Sequence, residues 1–333
     1  MYSRFDLPDP GGRTIRSNSM NRYRRLCLIG CLATLAPFSR AADRKTYPMD
    51  VSAAGVHSIT FDVQEGEFVL RGDPAARSVS MRVSIDRLWV FRLGEEGILK
   101  RLIKISGEET DHLKIVTDIP RSLANWGRAE YPIDFEVVVP AGLALQVIDT
   151  SGIIRISDMK APVEVHDGSG TLAVSGVEGA VTIAKDSGDI QVERVSEATQ
   201  ITSKSGQMKL RDLGTLDIEQ SDGNLDIVNV GPARIHNKGG NIRVTDVNGA
   251  LEIDDESGEI YVSDAKDDVK IHDTSGQIRV LRAGAVTVND TDGDVTIQQA
   301  ASVAVLQKES GAVKVSQISG AVEVPPGIAL KRR

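Results

Sequence analysis

Ser257-Gly258-Glu259-Ile260-Tyr261-Val262-Ser263-Asp264-Ala265 returns eighteen residues later as Ser275-Gly276-Gln277-Ile278-Arg279-Val280-Leu281-Arg282-Ala283. The glycine of this pair belongs to a series: Gly152, Gly170, Gly188, Gly206, Gly223, Gly240, Gly258, Gly276, Gly293 and Gly311, spaced by 17 or 18 residues throughout. Self-similarity at a fixed period marks a repeat architecture and takes precedence over any local reading. Two residues after each glycine stand Ile154, Leu172, Ile190, Met208, Leu225, Ile242, Ile260, Ile278, Val295 and Val313; four after stand Ile156, Val174, Val192, Leu210, Ile227, Val244, Val262, Val280, Ile297 and Val315. The residue between the two columns is mostly polar, as at Arg155, Gln191, Lys209 and Arg243. This is the period-2 signature of a strand with one buried face. A further column, largely aliphatic, lies seven residues after the glycine, from Met159 and Val177 to Ile318.

A second strand precedes each glycine. Five residues before it stand Val147, Val165, Ile183, Ile201, Ile218, Ile235, Ile253, Ile271 and Val288, and the position seven before is mainly apolar, weakened at Thr199 and Ala233. The last full repeat slips by one residue, with Val303 and Val305 carrying the pattern. Each repeat is two short strands and two turns with about five inward side chains, too few to enclose a core alone; stacking the repeats buries a continuous one. The expected fold is all-β: a single-stranded β-solenoid of about ten 17–18-residue rungs with an irregular β-rich N-terminal cap. At roughly 4.8 Å per rung the stack is about 50 Å long. A left-handed hexapeptide helix is excluded, because the apolar columns do not recur every six residues.

Residues 48 to 141 read as strands with longer loops: Val56–Val63, Glu67–Arg71, Val79–Ile85, Leu113–Thr117 and Ile133–Val139, with Leu88–Ile105 open between strand and short helix. They hold most of the aromatics, Phe61, Phe68, Trp89, Phe91, Trp126 and Phe135, and are expected to form the first irregular rungs and to cover the stack's open edge. Pro325-Pro326 is expected to stop strand pairing at the other end. The expected divisions are a leader (1–41), the cap and first rungs (42–141), the solenoid (142–325) and a basic tail (326–333).

The strand pair around Gly66, Phe135-Glu-Val-Val-Val-Pro140, Leu145-Gln-Val147 before Ser151-Gly152, and the repeated Ser-Gly-x-Ile-x-Val together resemble the bacterial putative-adhesin β-strand-repeat family, exported β-solenoid domains of unknown function. The resemblance covers about residues 48–325. It implies the fold and brings no catalytic residues with it.

Met20-Asn-Arg-Tyr-Arg-Arg25, the apolar run Leu26–Phe38 and Ser39-Arg40-Ala41 together read as a secretory signal peptide cut after Ala41. A competing cleavage is the lipobox Leu28-Ile29-Gly30-Cys31, which would place a lipid on Cys31 and tether the chain to a membrane. The expected location is exported, in the periplasm or on the cell surface. Both cysteines, Cys27 and Cys31, fall in the leader, so the remainder has no disulfide and no thiolate. Without the leader, 32 basic and 45 acidic residues leave a net charge of −13. Such a balance argues against nucleic acid as a partner.

Acids crowd the glycine corners: Asp254-Asp255-Glu256, and Asp290 with Asp292 and Asp294; Asp186 with Asp189 and Asp222 with Asp226 are smaller instances. The first six are candidate ligands for Ca²⁺, which takes oxygen donors. Set against this is a solvated acidic face of turn-forming aspartates, since no residue order matches a Ca²⁺ loop. His166, His236 and His272 share the column four before the glycine, where a Zn²⁺ site competes with an exposed His–carboxylate ladder. Arg71-Gly72-Asp73 spells an integrin tripeptide, expected by chance in a turn. No phosphate loop, nucleophile elbow or metalloprotease helix motif occurs, and no other cofactor is expected. From Gly152 onward Tyr261 is the only aromatic, and the rungs carry almost no insertions to wall a cleft. The leading expectation is a non-enzymatic envelope scaffold or binding/adhesion module for an envelope or surface ligand. The alternatives are an enzyme acting on an envelope or extracellular polysaccharide through clustered carboxylates, and a self-assembling filament.

Overall fold

The computed structural model describes residues 44–87, 90–91, 94–107, 110–119 and 133–332. The leader, Cys27, Cys31, Trp89 and Trp126 lie outside them, as does the Ala41 cleavage site. The described residues form a β-solenoid of about ten turns with irregular N-terminal strands.

Each rung is built as the columns require. Strands that precede the glycine stack in parallel and in register, so that Val147 pairs with Val165, Val165 with Ile183 and Ile183 with Ile201. Strands that follow it do the same, Ile154 on Leu172 and Leu172 on Ile190. The inward columns are buried, giving one continuous aliphatic core along the stack.

Two backbone features fix the rung. At the glycine corner the chain passes so close to the rung before it that a Cβ on Gly276 would fall 1.7 Å from the Gly258 carbonyl oxygen, and one on Gly293 1.6 Å from that of Gly276. Both have positive φ, 149° and 125°, so no other residue fits the stack. Six residues further on, a second ladder of left-handed residues runs through Asp158, Arg194, Asp212, Asn229, Asp246, Asp264, Arg282, Gln299 and Gln317, with φ between 55° and 60°. This kink breaks the strict alternation and returns the chain inward one residue later than period 2 would. It is why the third apolar column falls at seven, not six, after the glycine. The slip in the last repeat is a bulge: Val286 pairs with Val303 and Val288 with Val305, but Asn289 pairs with Gln307, leaving Leu306 looped out and 65% exposed.

The N-terminal strands depart from simple stacking. Ser58–Asp62 and Glu65–Asp73 form a rung whose corner, Gly66, lies in register with Gly152. The chain then leaves, and returns to build the rung on the opposite side: His112–Thr117 pairs with Ser58–Asp62, and Ile133–Pro140 with Glu65–Asp73. Residues 144–159 go back to the first side. Chain order and spatial order therefore differ here. The end of the stack is closed by antiparallel strands, Ser78–Asp86 on Ile133–Pro140 and Arg44–Ser52 on Ser78–Asp86. Of the ambiguous stretch, Ile98–Leu102 is a short helix and Ile103–Ser106 a strand. Phe61, Phe68 and Phe135 pack in a row, with centroids 5.1 and 6.1 Å apart. The Arg71-Gly72-Asp73 tripeptide lies within a strand, not a turn, and Gly72 is buried against the Asp158 carbonyl.

The C-terminal expectation is corrected. Pro325-Pro326 interrupts pairing but does not end it, since Ala329–Arg332 pairs in parallel with Ala312–Val315. Proline removes one donor locally and leaves the following residues free to rejoin the ladder.

Candidate functional site

The strand before each glycine alternates inward at positions seven and five before it, and the alternation continues to the position three before. There it meets Asp149, Asp167, Lys185, Ser203, Gln220, Asn237, Asp255, Asp273, Asp290 and Lys308, polar in every rung and none more than 7% exposed. From Asp149 to Asp273 each member pairs in register with the next. A polar column thus runs inside an aliphatic solenoid. Of these, the sequence pattern singled out only Asp255 and Asp290, as acids of the glycine corners; the signal that places the column inside is the same period 2 that places Val165 and Ile183.

The column has a local task. Several of its side chains clasp the corner beside them, where backbone groups turn away from the ladders. The acids accept: Ser169 N–H donates to Asp167 Oδ1 at 3.1 Å, Ser275 N–H to Asp273 Oδ1 at 3.2 Å and Thr150 N–H to Asp149 Oδ1 at 2.8 Å. The amides donate: Asn237 Nδ2 to the Gly239 carbonyl at 3.0 Å, and Gln220 Nε2 to the Asp222 carbonyl at 2.9 Å. Each bond pairs a buried backbone group that would otherwise be costly.

The charged members fall into two runs, separated by Ser203, Gln220 and Asn237. The first is Asp149–Asp167–Lys185, with the Lys185 ammonium on Asp167 and both side chains closed to solvent. The second is Asp255–Asp273–Asp290–Lys308, with Lys308 on Asp290 and neither side chain exposed. Acids without a lysine neighbour resist ionisation. Burial, then the Asp167 charge, pushes Asp149 up to about 7. Burial, then the neighbouring Asp273, pushes Asp255 up to about 7, and burial, then Asp290, pushes Asp273 up to about 6. The causes are desolvation and like charge, in that order.

An open groove of about 650 Å³ lies over the first run and the uncharged stretch. His166, Glu219 and His236 line it from the position four before the glycine, and Asp186, Lys204 and Lys238 from two before, with Lys185, Ser203 and Gln220 beneath. Lys204 pairs with Asp186 at 2.7 Å and Lys238 with Glu256 at 3.8 Å.

The residues singled out in the sequence are distributed as follows. Asp255 and Asp290 point inward in the second run. Asp254 faces His236 Nδ1 at 3.2 Å, and Glu256 faces Lys238. Asp292 accepts from Ser310 Oγ. Asp294 accepts from the Ala312 amide at 3.0 Å and pairs with Lys314 at 2.6 Å, which holds its carboxyl below the usual carboxylate range. His166 bonds Glu164 at 2.6 Å, and His272 is exposed, in register with Asp254 on the rung before. Among the described residues no three His, Cys, Asp or Glu side chains converge as a metal site, and no helix is long and apolar enough to cross a membrane.

Residues 181–325 match the family Toastrack DUF4097. Solved structures similar to the chain include a putative cell adhesion protein from Clostridium sporogenes (12% identity, TM-score 0.36, covering 52% of this chain and 81% of that one). Others are a putative lipid binding protein from Parabacteroides distasonis (14%, 0.35, 85% and 98%) and a putative adhesin from Bacteroides fragilis (12%, 0.30, 84% and 97%). No curated protein matches the chain.

Proposed function

We propose that this chain, whose residues 181–325 carry a Toastrack DUF4097 domain, is an exported, non-enzymatic binding or adhesion module of the cell envelope that uses the open groove as its contact face. The observation that carries the reading is the groove itself. It crosses successive rungs with side chains of both charges at fixed spacing, from His166 to Lys238, on a scaffold held rigid by the corner clasps. Such a surface suits an extended polar ligand laid along the stack. Of the four groove acids, Asp167 and Asp186 are already paired with Lys185 and Lys204, which leaves Asp149 and Glu219 as the carboxyls a polysaccharide-cleaving reaction would have to use, one to donate a proton and the other to stay free.

The test uses the full chain and purified peptidoglycan sacculi. The groove variant Lys204→Glu with Lys238→Glu should lose most of the retention of the parent, and removing one groove rung, Ser187 to Lys204, should weaken it. Retention untouched by both changes would remove the groove from the account. Release of reducing ends from the sacculi would favour the enzyme instead. Intact mass of the exported protein reads the cleavage: an N-terminus at Ala42 supports the signal peptide, and a lipid adduct on Cys31 the tethered form.

A further inference from the structure

The two buried runs do not balance alike. The first sets two carboxylates against one lysine. The second sets Asp255, Asp273 and Asp290 against Lys308 alone, so with all groups ionised it carries a surplus of two negative charges. Its oxygens are also left open. Both carboxylate oxygens of Asp255, Oδ2 of Asp273, Oδ1 of Asp290 and the side-chain oxygen of Asn237 are buried and have no hydrogen-bond partner, whereas no oxygen of Asp149, Asp167 or the Lys185 rung is in that state. The amides of Glu256 and Ser257 and the Asn237 side chain lie near enough to ease the charge on Asp255 in part, against the larger effects of burial and of Asp273. Asn237, Asp255 and Asp273 are each 1% exposed or less and stand in register on three consecutive rungs.

Buried acceptors without donors are costly, and a buried charge persists only when it is paired. We propose that the second run binds one Ca²⁺ ion between the carboxylates of Asp255 and Asp273. The donor set is all oxygen, which suits a hard cation, and two positive charges cancel the surplus. Neighbouring strands lie about 4.8 Å apart. Oxygens on adjacent rungs can therefore share one ion, and Ca²⁺ accepts a more flexible oxygen geometry than Mg²⁺. The site differs from the outward acids Asp254, Glu256 and Asp292, and it is independent of the groove as a contact face.

The experiment refolds the full chain from urea with and without millimolar Ca²⁺, then measures bound calcium by equilibrium dialysis and the melting temperature of each sample. One ion per chain and a higher melting temperature, not reproduced by Mg²⁺, are expected. Asp255→Asn and Asp273→Asn keep the side-chain shape but should weaken binding at least about tenfold, the floor set by changes around a metal's ligands. Asp149→Asn and the outward double variant Asp254→Asn with Glu256→Gln should still bind one ion. Should Asp255→Asn not fold, Asp273→Asn and the unmodified chain decide the question. No retained calcium in the unmodified chain, or calcium lost only in the outward variant, would overturn the proposal; protons would then neutralise the run.

Discussion

The runs Asp149–Asp167–Lys185 and Asp255–Asp273–Asp290–Lys308 share a column, a local clasp and an order, with the lysine last. They differ by one aspartate. In the first, that difference leaves one acid beyond the ion pair, with amides of Thr150 and Ser151 to receive. In the second it leaves two acids and five open oxygen acceptors, counting that of Asn237. The lesson concerns stacking. A repeat that places one side chain directly over another converts a modest local preference, an aspartate at a corner, into a long-range electrostatic problem. Each added rung must then be answered by a lysine, an amide, a proton or an ion.

The comparison breaks most violently if the lysines are removed. Lys185→Met and Lys308→Met each strand a carboxylate in the core, at a cost of about 3–5 kcal/mol by the usual effect of halving a buried pair. Urea denaturation in calcium-free buffer should find Lys308→Met the more damaged, because it leaves three unanswered acids where Lys185→Met leaves two. Equal losses would mean that the runs are not electrostatically distinct.

A smaller effect follows from pH. The folded-state value of Asp149 is raised, so the folded chain holds a proton that the unfolded chain, at 3.8, has given up. Stability from this group is greatest below about pH 4, declines as pH rises toward about 7, and is level above that. At about 1.4 kcal/mol per unit the span is at most a few kcal/mol. Asp149→Asn removes the titrating group, so its stability should fall less between pH 5 and pH 8 than that of the parent, as read by urea midpoints. A variant with the parent's full slope would show that Asp149 ionises normally.

The smallest expected effect lies outside both runs and serves as their control. Arg194 holds φ of 55° in the exposed left-handed ladder, a conformation that costs a non-glycine residue about 1 kcal/mol or more. Arg194→Gly should leave stability unchanged or raise it by up to about 1 kcal/mol, offset by glycine's greater freedom when unfolded. Its pH profile should follow the parent's. A destabilised variant would assign the kink to the side chain and not to the backbone.

Much of this molecule can be read from its sequence, because a solenoid repeats its evidence. Ile154, Leu172 and Ile190 are separately ordinary and collectively a ladder. The bulge at the last repeat was visible as a slip at Val303 and Val305. The N-terminal strands were legible as strands, and their spatial order was not: pairing between Ser58–Asp62 and His112–Thr117 spans an insertion that no period marks. The polar column was within reach, since Asp167 follows Val163 and Val165 in strict alternation, but polar residues beside a glycine also suit a turn, which is how Asp255 and Asp290 read. What the sequence could not give is the pairing of charges. Asp290 and Lys308 are eighteen residues apart, as are Asp255 and Asp273, and only inward orientation makes the first an ion pair and the second a conflict.

The most direct test of this account removes one rung to make the second run a copy of the first. Deleting Glu256 to Asp273 joins Asp255 to Thr274-Ser275-Gly276, keeps every column in phase and leaves Asp255–Asp290–Lys308, two acids and one lysine. Urea denaturation with and without calcium should find this chain cooperatively folded, less stable by about one rung's burial, a few kcal/mol, and no longer sensitive to calcium. The half-rung deletion of Glu256 to Asp264, which sets unlike strands above each other, should fail to fold. If the half-rung deletion proved as stable as the whole, or the whole-rung deletion kept the calcium response of the parent, the stacked column as described would be wrong.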